Sequence, residues 1–319
     1  MHEDALSFPF LGSQVYAYGL LVMLGVLLAM ALALFLTRKN SREQQAAALT
    51  ALLALPLGLI LARLMYVFLD PTFRPLMNIG NILNITTGGF AMFGALMGAA
   101  LAACIAARLT RVPAARMLDV TSAALLAFLI PARLGEGYTA LGVSRPLTTQ
   151  WLADSFLARQ DDYDAYLRTY LLEAVIALIL LMILLRFLRR KPRHGRAFAL
   201  ACLLFGITQT LMESLRYDGH MRFSFIGVQQ VLAVTLFCLV LIVLAIRLLK
   251  ANKARLLAVL SLIAVPLSVA GGVGVEFLID RSEMGKLISY ALYLLVLAIP
   301  AALGILMLKQ EERLGQSTD

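Results

Sequence analysis

The chain has 319 residues, of which 61% are hydrophobic and only 15% charged, with a mean hydropathy of +0.85. A soluble domain has roughly 45–50% apolar and about 25% charged residues, so this composition excludes an ordinary soluble fold. The apolar residues fall in blocks of about 18–25, long enough to cross a bilayer as helices, whereas a membrane barrel shows short alternating segments. The formal net charge of +9 lies mostly in loops flanking these blocks, a pattern of membrane topology rather than of nucleic-acid binding, and no nucleic-acid partner is expected.

In chain order, about nine spanning segments are expected, near 14–37, 47–69, 88–108, 116–134, 169–188, 196–215, 223–248, 255–278 and 286–308. The fold class is thus all-α, a polytopic helical membrane protein. The N-terminus is acidic and the first apolar block is long enough to stay in the membrane, so no cleavable signal peptide is expected. Arg38, Lys39 and Arg42 follow the first segment, and Arg108, Arg111 and Arg116 lie around the loop after the third. The loop at 186–196 carries Arg186, Arg189, Arg190, Lys191, Arg193 and Arg196, and Arg247, Lys250, Lys253 and Arg255 surround the loop after the seventh segment. The alternate loops are poorer in Lys and Arg, and the longest, 135–168, holds Asp154, Asp161, Asp162 and Asp164. These charges place the odd loops in the cytoplasm, the N-terminus outside and the C-terminus inside.

Within 135–168, Trp151, Leu152, Phe156 and Leu157 recur at helical spacing, which reads either as a helix lying on the outer interface or as an ordinary aromatic anchor. Cys104, Cys202 and Cys238 sit inside apolar blocks without metal-ligand spacing and read as small packing residues. Gly94 and Gly98 have the small-xxx-small spacing of close helix packing. His2, His194 and His220 all fall in loops.

Ionisable residues inside a span cost about 2.5–3.5 kcal/mol on insertion scales and are functional candidates by default. Tyr18 lies near the outer end of segment one. Arg63 is about two turns from the outer end of segment two, with Tyr66 one turn further out. Gly88 and Gly89 open segment three, and Arg133 and Glu136 close segment four. Glu173 lies just inside the outer end of segment five. Gln209, Glu213 and Arg216 share one face of segment six through their i, i+4, i+7 spacing. All fall in the outer half of the membrane, where guanidinium groups suit a phosphate or carboxylate. Composition and spacing therefore support an outward-facing site for an anionic lipid, against the plainer reading of snorkelling arginines paired with nearby acids.

The order of motifs resembles the bacterial prolipoprotein diacylglyceryl transferases over about residues 10–248. The resemblance is carried by Tyr16-Ala17-Tyr18-Gly19-Leu20, Ala62-Arg63-Leu64-Met65-Tyr66, Gly88-Gly89-Phe90, Asp119, Ala132-Arg133-Leu134-Gly135, Glu213-Ser214-Leu215-Arg216 and Gly227-Val228-Gln229-Gln230. It implies a seven-helix transferase-like domain over 1–250 with an outer interfacial segment at 135–168, and an additional transmembrane hairpin with a cytoplasmic tail over 251–319. It also implies an enzyme of the bacterial plasma membrane, with its site facing outward. Such an enzyme moves the diacylglyceryl group of phosphatidylglycerol to the lipobox cysteine thiol of a prolipoprotein, whose signal peptide enters from the bilayer. Glycerol-1-phosphate is the other product.

Under this resemblance Arg133 holds the departing phosphate, Arg63 and Arg216 add positive charge, Glu213 orients a neighbouring polar group and Tyr18 lines the site. Tyr66, Gly88, Gly89 and Gln209 belong to the substrate-binding set. The scheme requires no metal and no cofactor. The chain departs from the family pattern at Phe93, where the family has a histidine, at Glu136, where it has an asparagine, and at Gln209, where it has an arginine. Three readings follow: a transferase in which Glu136 replaces the histidine as base, a non-catalytic relative that binds an anionic phospholipid or a lipoprotein signal segment, and a lipid transporter.

Overall fold

A computed structural model describes residues 7–10, 13–70, 73, 78–84, 88–218, 221–281 and 286–316. His2 and His220 lie outside the described residues, while His194 is exposed in a loop. Among the described residues, nine helices are long and apolar enough to cross a membrane. The chain is an all-α polytopic membrane protein. The spans observed match those expected from apolar run length to within a few residues at most ends, the larger differences being the end of the ninth, whose helix runs on to Gln316, and the start of the second, at Ser41. The polar residues there, Arg42 and Glu43, stay helical because the Asn40 side chain caps them, accepting from both backbone N–H groups.

The chain divides into two compact units, 1–186 with 215–221, and 187–214 with 222–319. The first unit opens with a short hairpin, β1 (Ser7–Phe10) and β2 (Ser13–Tyr16), and continues through α1 (Ala17–Thr37), α2 (Ser41–Leu69) and the short α3 (Ile79–Leu83). It proceeds with α4 (Met92–Thr110), α5 (Ala114–Glu136) and, to residue 186, α7 (Thr169–Arg189). Between α5 and α7 the chain forms β3 (Val143–Pro146), α6 (Gln150–Ala153), β4 (Ala158–Gln160) and β5 (Ala165–Arg168), with the strands antiparallel in the order β3-β5-β4.

The helix expected around Trp151 to Leu157 is a single turn. Ser155 Oγ donates to the carbonyl of Leu152 and Gln160 Nε2 to that of Ala153, so side chains take the acceptors that a continuing helix would use. Trp151 and Phe156 are both exposed.

Small residues let the helices of this unit approach closely. A Cβ on Gly98 would come within 2.6 Å of Gly58 Cα, and one on Gly94 would strike the backbone at Leu61, so α2 and α4 pack backbone to backbone. Alanines 33, 46, 47, 103, 107 and 124 meet Met117 and Val120 in a buried cluster at the far end from the sheet. Helix α5 is two-thirds buried (67%) and α1 only 11%, which makes α5 the enclosed element of the unit. Met23, Leu27 and Leu28 stand exposed on α1, as suits a lipid-facing surface.

The second unit holds α8 (Arg196–Leu215, to residue 214), the two-residue strands β6 (Arg222–Phe223) and β7 (Ile226–Gly227), α9 (Val228–Lys250), α10 (Arg255–Arg281) and α11 (Lys286–Gln316). Here too glycines set the spacing. A Cβ on Gly206 would lie 2.8 Å from the Ala233 carbonyl, and one on Gly304 would meet Leu203 at 2.5 Å.

Candidate functional site

At the sheet end of the first unit, two arginines and two glutamates close a ring. Arg133, in the last turn of α5, places Nη1 2.6 Å from Glu136 Oε1 and Nε 2.6 Å from Glu173 Oε2. Arg216, just beyond α8, places Nη2 2.9 Å from Glu136 Oε2 and Nη1 2.9 Å from Glu173 Oε1. Each glutamate therefore bridges both arginines. Asp218 adds a third carboxylate, its Oδ2 2.9 Å from Arg216 Nη2, and it accepts a backbone hydrogen bond from Gly142.

The five groups are almost wholly buried, Arg216 to 1% exposure, so the two positive and three negative charges leave a formal net of −1 in a low-dielectric site. Burial of this kind is tolerated only where each charge has partners in good geometry. Arg133 Nη2 donates to the Met92 sulfur at 2.9 Å, a weaker acceptor than any phosphate or carboxylate oxygen.

Local structure fixes the ring. Arg133 and Glu136 share a helix face at i, i+3, and Glu173 enters from the second turn of α7. Arg216 and Tyr217 are held alongside β3: Ser144 and Arg216 form an isolated bridge, and the Tyr217 N–H donates to the Val143 carbonyl at 2.8 Å. Gly142 requires glycine, since its φ is +73° and a Cβ there would lie 3.0 Å from Glu136 Oε2 and 2.6 Å from the Tyr170 side chain. Tyr18 stands one layer away, its ring 3.1 Å from where a Cβ of Gly135 would be.

A second group surrounds Arg63, which is 5% exposed. All five of its N–H donors meet main-chain carbonyls: Nε to Ile82 at 3.1 Å, Nη2 to Asn81 at 2.7 Å and Asn84 at 2.9 Å, and Nη1 to Gly89 at 3.2 Å and to Gly88. The guanidinium also lies over the rings of Tyr66 and Phe73, 5.8 and 5.3 Å from their centroids. Gly88 and Gly89 have φ of +74° and +78°, and a Cβ on Gly89 would come within 2.5 Å of the Tyr66 ring. The loop that Arg63 gathers runs straight into Met92 at the start of α4, tied down by the Ala91 N–H to the Ala62 carbonyl at 3.0 Å. Phe93 is buried beside it.

In the second unit, Gln209 Nε2 donates to Glu213 Oε1 at 2.9 Å, one turn along α8, and both side chains are buried. The residues expected at the site thus fall into three groups: Tyr18, Arg133, Glu136 and Arg216 in the first unit, Arg63, Tyr66, Gly88 and Gly89 around a loop of the same unit, and Gln209 with Glu213 in the second. Sequence reasoning singled out Glu173 without assigning it a role. It missed Asp218 and Gly142, whose only signal is proximity in sequence to Arg216 and Glu136.

The family model for prolipoprotein diacylglyceryl transferase matches residues 6–249. Among similar proteins, a phosphatidylglycerol–prolipoprotein diacylglyceryl transferase of Listeria monocytogenes is 29% identical over 74% of this chain and 86% of that protein. One of the same name from Finegoldia magna is 26% identical over 68% of this chain and 85% of its own length. Another from Leifsonia xyli is 29% identical over 69% and 70%, respectively.

Proposed function

We propose, from the premise that the chain belongs to the prolipoprotein diacylglyceryl transferase family, that it moves the diacylglyceryl group of phosphatidylglycerol to the lipobox cysteine of a prolipoprotein at the outer face of the plasma membrane. By family it is a transferase of a bacterial, multi-pass membrane type. The outward orientation is supported by the Lys- and Arg-rich loops at 38–42, 108–116, 186–196 and 247–255, which alternate along the chain with loops poorer in Lys and Arg such as 135–168.

The observation that carries this reading is the convergence of Arg133 and Arg216 on the same two carboxylates. In the transfer, the cysteine sulfur attacks the glyceryl carbon bonded to the phosphate oxygen. The S–C bond forms as the C–O bond breaks, the electron pair goes to that oxygen, and glycerol-1-phosphate leaves. The thiol proton leaves the sulfur for an acceptor, because the thiolate is the nucleophile. Negative charge grows on the phosphate, and guanidinium donors fixed beforehand stabilise it without reorganising. Arg133 is the contact assigned to the phosphate, because its Nη2 donates to a thioether that a phosphate oxygen would displace.

Both oxygens of Glu136 face guanidinium donors, which supports a bridging role rather than that of base. Tyr18 lines the site. Arg63 serves by holding the main chain at 81–84 and 88–89, since all its donors meet carbonyls there.

The test is direct transfer: purified chain, vesicles containing labelled phosphatidylglycerol, and a lipobox peptide, with thioether-linked product measured. Product is expected, and an Arg133→Ala chain is expected to make little. Wild-type product no greater than that of Arg133→Ala would overturn the reading.

A further inference from the structure

The family match ends at residue 249, and the chain continues into the α10–α11 hairpin. Apolar contacts alone could hold such a hairpin against the helices before it, as Gly304 against Leu203 illustrates. Yet α10 carries a buried glutamate, Glu276, in a span where an acid is costly to insert.

Its partner is Gln230, in the first turn of α9. Gln230 Nε2 lies 2.5 Å from Glu276 Oε1, 2.9 Å from the Tyr293 hydroxyl of α11 and 3.3 Å from the Thr210 carbonyl of α8, three acceptors that share its two hydrogens. Its carbonyl oxygen accepts from the Gly227 N–H at 3.4 Å, closing the cap of α9. Gly227 is in turn the residue against Glu213: a Cβ built on it would lie 3.9 Å from Glu213 Oε2. The Tyr290 hydroxyl of α11 donates to the carbonyl of Ser214, the residue after Glu213, at 3.2 Å. The hairpin thus grips the main chain on one side of Glu213 and the cap of the neighbouring helix on the other. A second tie lies elsewhere on the hairpin, where Arg196 of α8 meets Glu311 of α11, so docking does not depend on Glu276 alone.

We propose that Glu276 and Tyr293 are positioning residues of the transferase: through Gln230 they hold the N-terminal turn of α9 in place beside Glu213. A buried carboxylate adds little net stability over a well-packed apolar residue, but it fixes one geometry where leucine would tolerate several. The inference rests on the transferase reading for its catalytic consequence and on the Gln230 contacts for its geometry.

The experiment compares Glu276→Leu, Glu276→Gln, Tyr293→Phe and Arg196→Gln in the full chain, measuring kcat, KM for the lipobox peptide, thermal midpoint, and hydrogen exchange at the amides of 227–231. Glu276→Leu is expected to lower kcat roughly tenfold or more with KM little changed, as small misplacements of reacting groups do. Glu276→Gln keeps an acceptor for the Gln230 amide and is expected to retain most of kcat, with Tyr293→Phe between the two. Arg196→Gln loosens the other tie and is expected to leave kcat and the exchange at 227–231 unchanged. Exchange at 227–231 is expected to rise in Glu276→Leu. Wild-type kcat in Glu276→Leu would overturn the proposal, and so would equal losses in Glu276→Leu and Arg196→Gln that merely follow thermal midpoint. A wild-type chain that makes no product refutes the transferase reading instead. The exchange comparison then decides the geometry by itself, and unchanged protection at 227–231 in Glu276→Leu overturns it.

Discussion

Replacing Arg216 by methionine is the sharpest perturbation of the ring. The side chain places a guanidinium against Glu136, Glu173 and Asp218 at 2.9 Å each, at 1% exposure. Methionine matches much of its length and none of its charge, so three buried carboxylates lose the Arg216 guanidinium and the formal charge of the cluster falls from −1 to −2. Removing one partner of a buried ion pair costs about 3–5 kcal/mol, because the remaining charge is uncompensated. Transfer is expected to fall roughly 10²–10³-fold, the loss typical of deleting one donor to a developing anion.

The second variant, Arg216→Met with Asp218→Asn, separates the two effects. It returns the formal charge to −1 and should recover part of the stability, read as thermal midpoint in detergent, while transfer stays low. The reasoning is refuted if Arg216→Met keeps wild-type stability. It is refuted equally if the double variant recovers wild-type transfer, since a guanidinium would then not be needed at the phosphate.

Arg63→Lys replaces five fixed donors by three, and hydrogen exchange at 88–91 should rise while the peptide KM changes less than kcat. Gly89→Ala sets a Cβ 2.5 Å from the Tyr66 ring at φ +78°, and a destabilisation of at least about 1 kcal/mol is expected from a denaturation curve. Glu136→Gln should lose transfer, and a lipobox peptide with selenocysteine, already ionised at neutral pH, should not restore it; restoration would make Glu136 the base. Glu173→Gln removes a carboxylate that competes for both arginines, so KM for phosphatidylglycerol should fall together with kcat; an unchanged pair of constants would contradict the bridging role.

Run length and flanking charge made the nine spans legible, because a bilayer imposes one length on every helix that crosses it. Depth was legible too: Arg133, Glu136, Glu173 and Arg216 stand out as charges near the end of an apolar block. Their pairing was not. That Glu173 bridges both arginines depends on the crossing of α5 and α7, and that Arg216 lies alongside β3 depends on a bridge to Ser144, far away in sequence. Arg63 shows the same limit from the other side. Its isolation in an apolar block reads as a cation awaiting an anion, whereas its partners are carbonyls of a loop some twenty residues on, which no periodicity reveals. Of the two readings open for the aromatic segment at 151–157, the helix ends after one turn for a local reason, since Ser155 and Gln160 side chains take its carbonyls.

Arginines already held by carboxylates are at first sight a poor trap for a phosphate, but the proposed reaction gives that arrangement a use. The donor lipid is a phosphodiester with one negative charge, while the leaving group is a monoester that carries about −1.5 to −2 at neutral pH. A bare pair of guanidinium groups would bind both tightly, which lowers KM and hinders release without speeding the chemical step. With a formal charge of −1, the cluster as a whole does not attract the donor, and only hydrogen bonds from its guanidinium groups favour the phosphate. Its donors are nonetheless fixed in place, so their interaction with the phosphate strengthens as charge moves onto the oxygen. Under the proposed reaction, Glu136 and Glu173 then do more than satisfy two buried cations: they hold the guanidinium donors in one geometry and keep the more highly charged leaving group from being bound too tightly to depart.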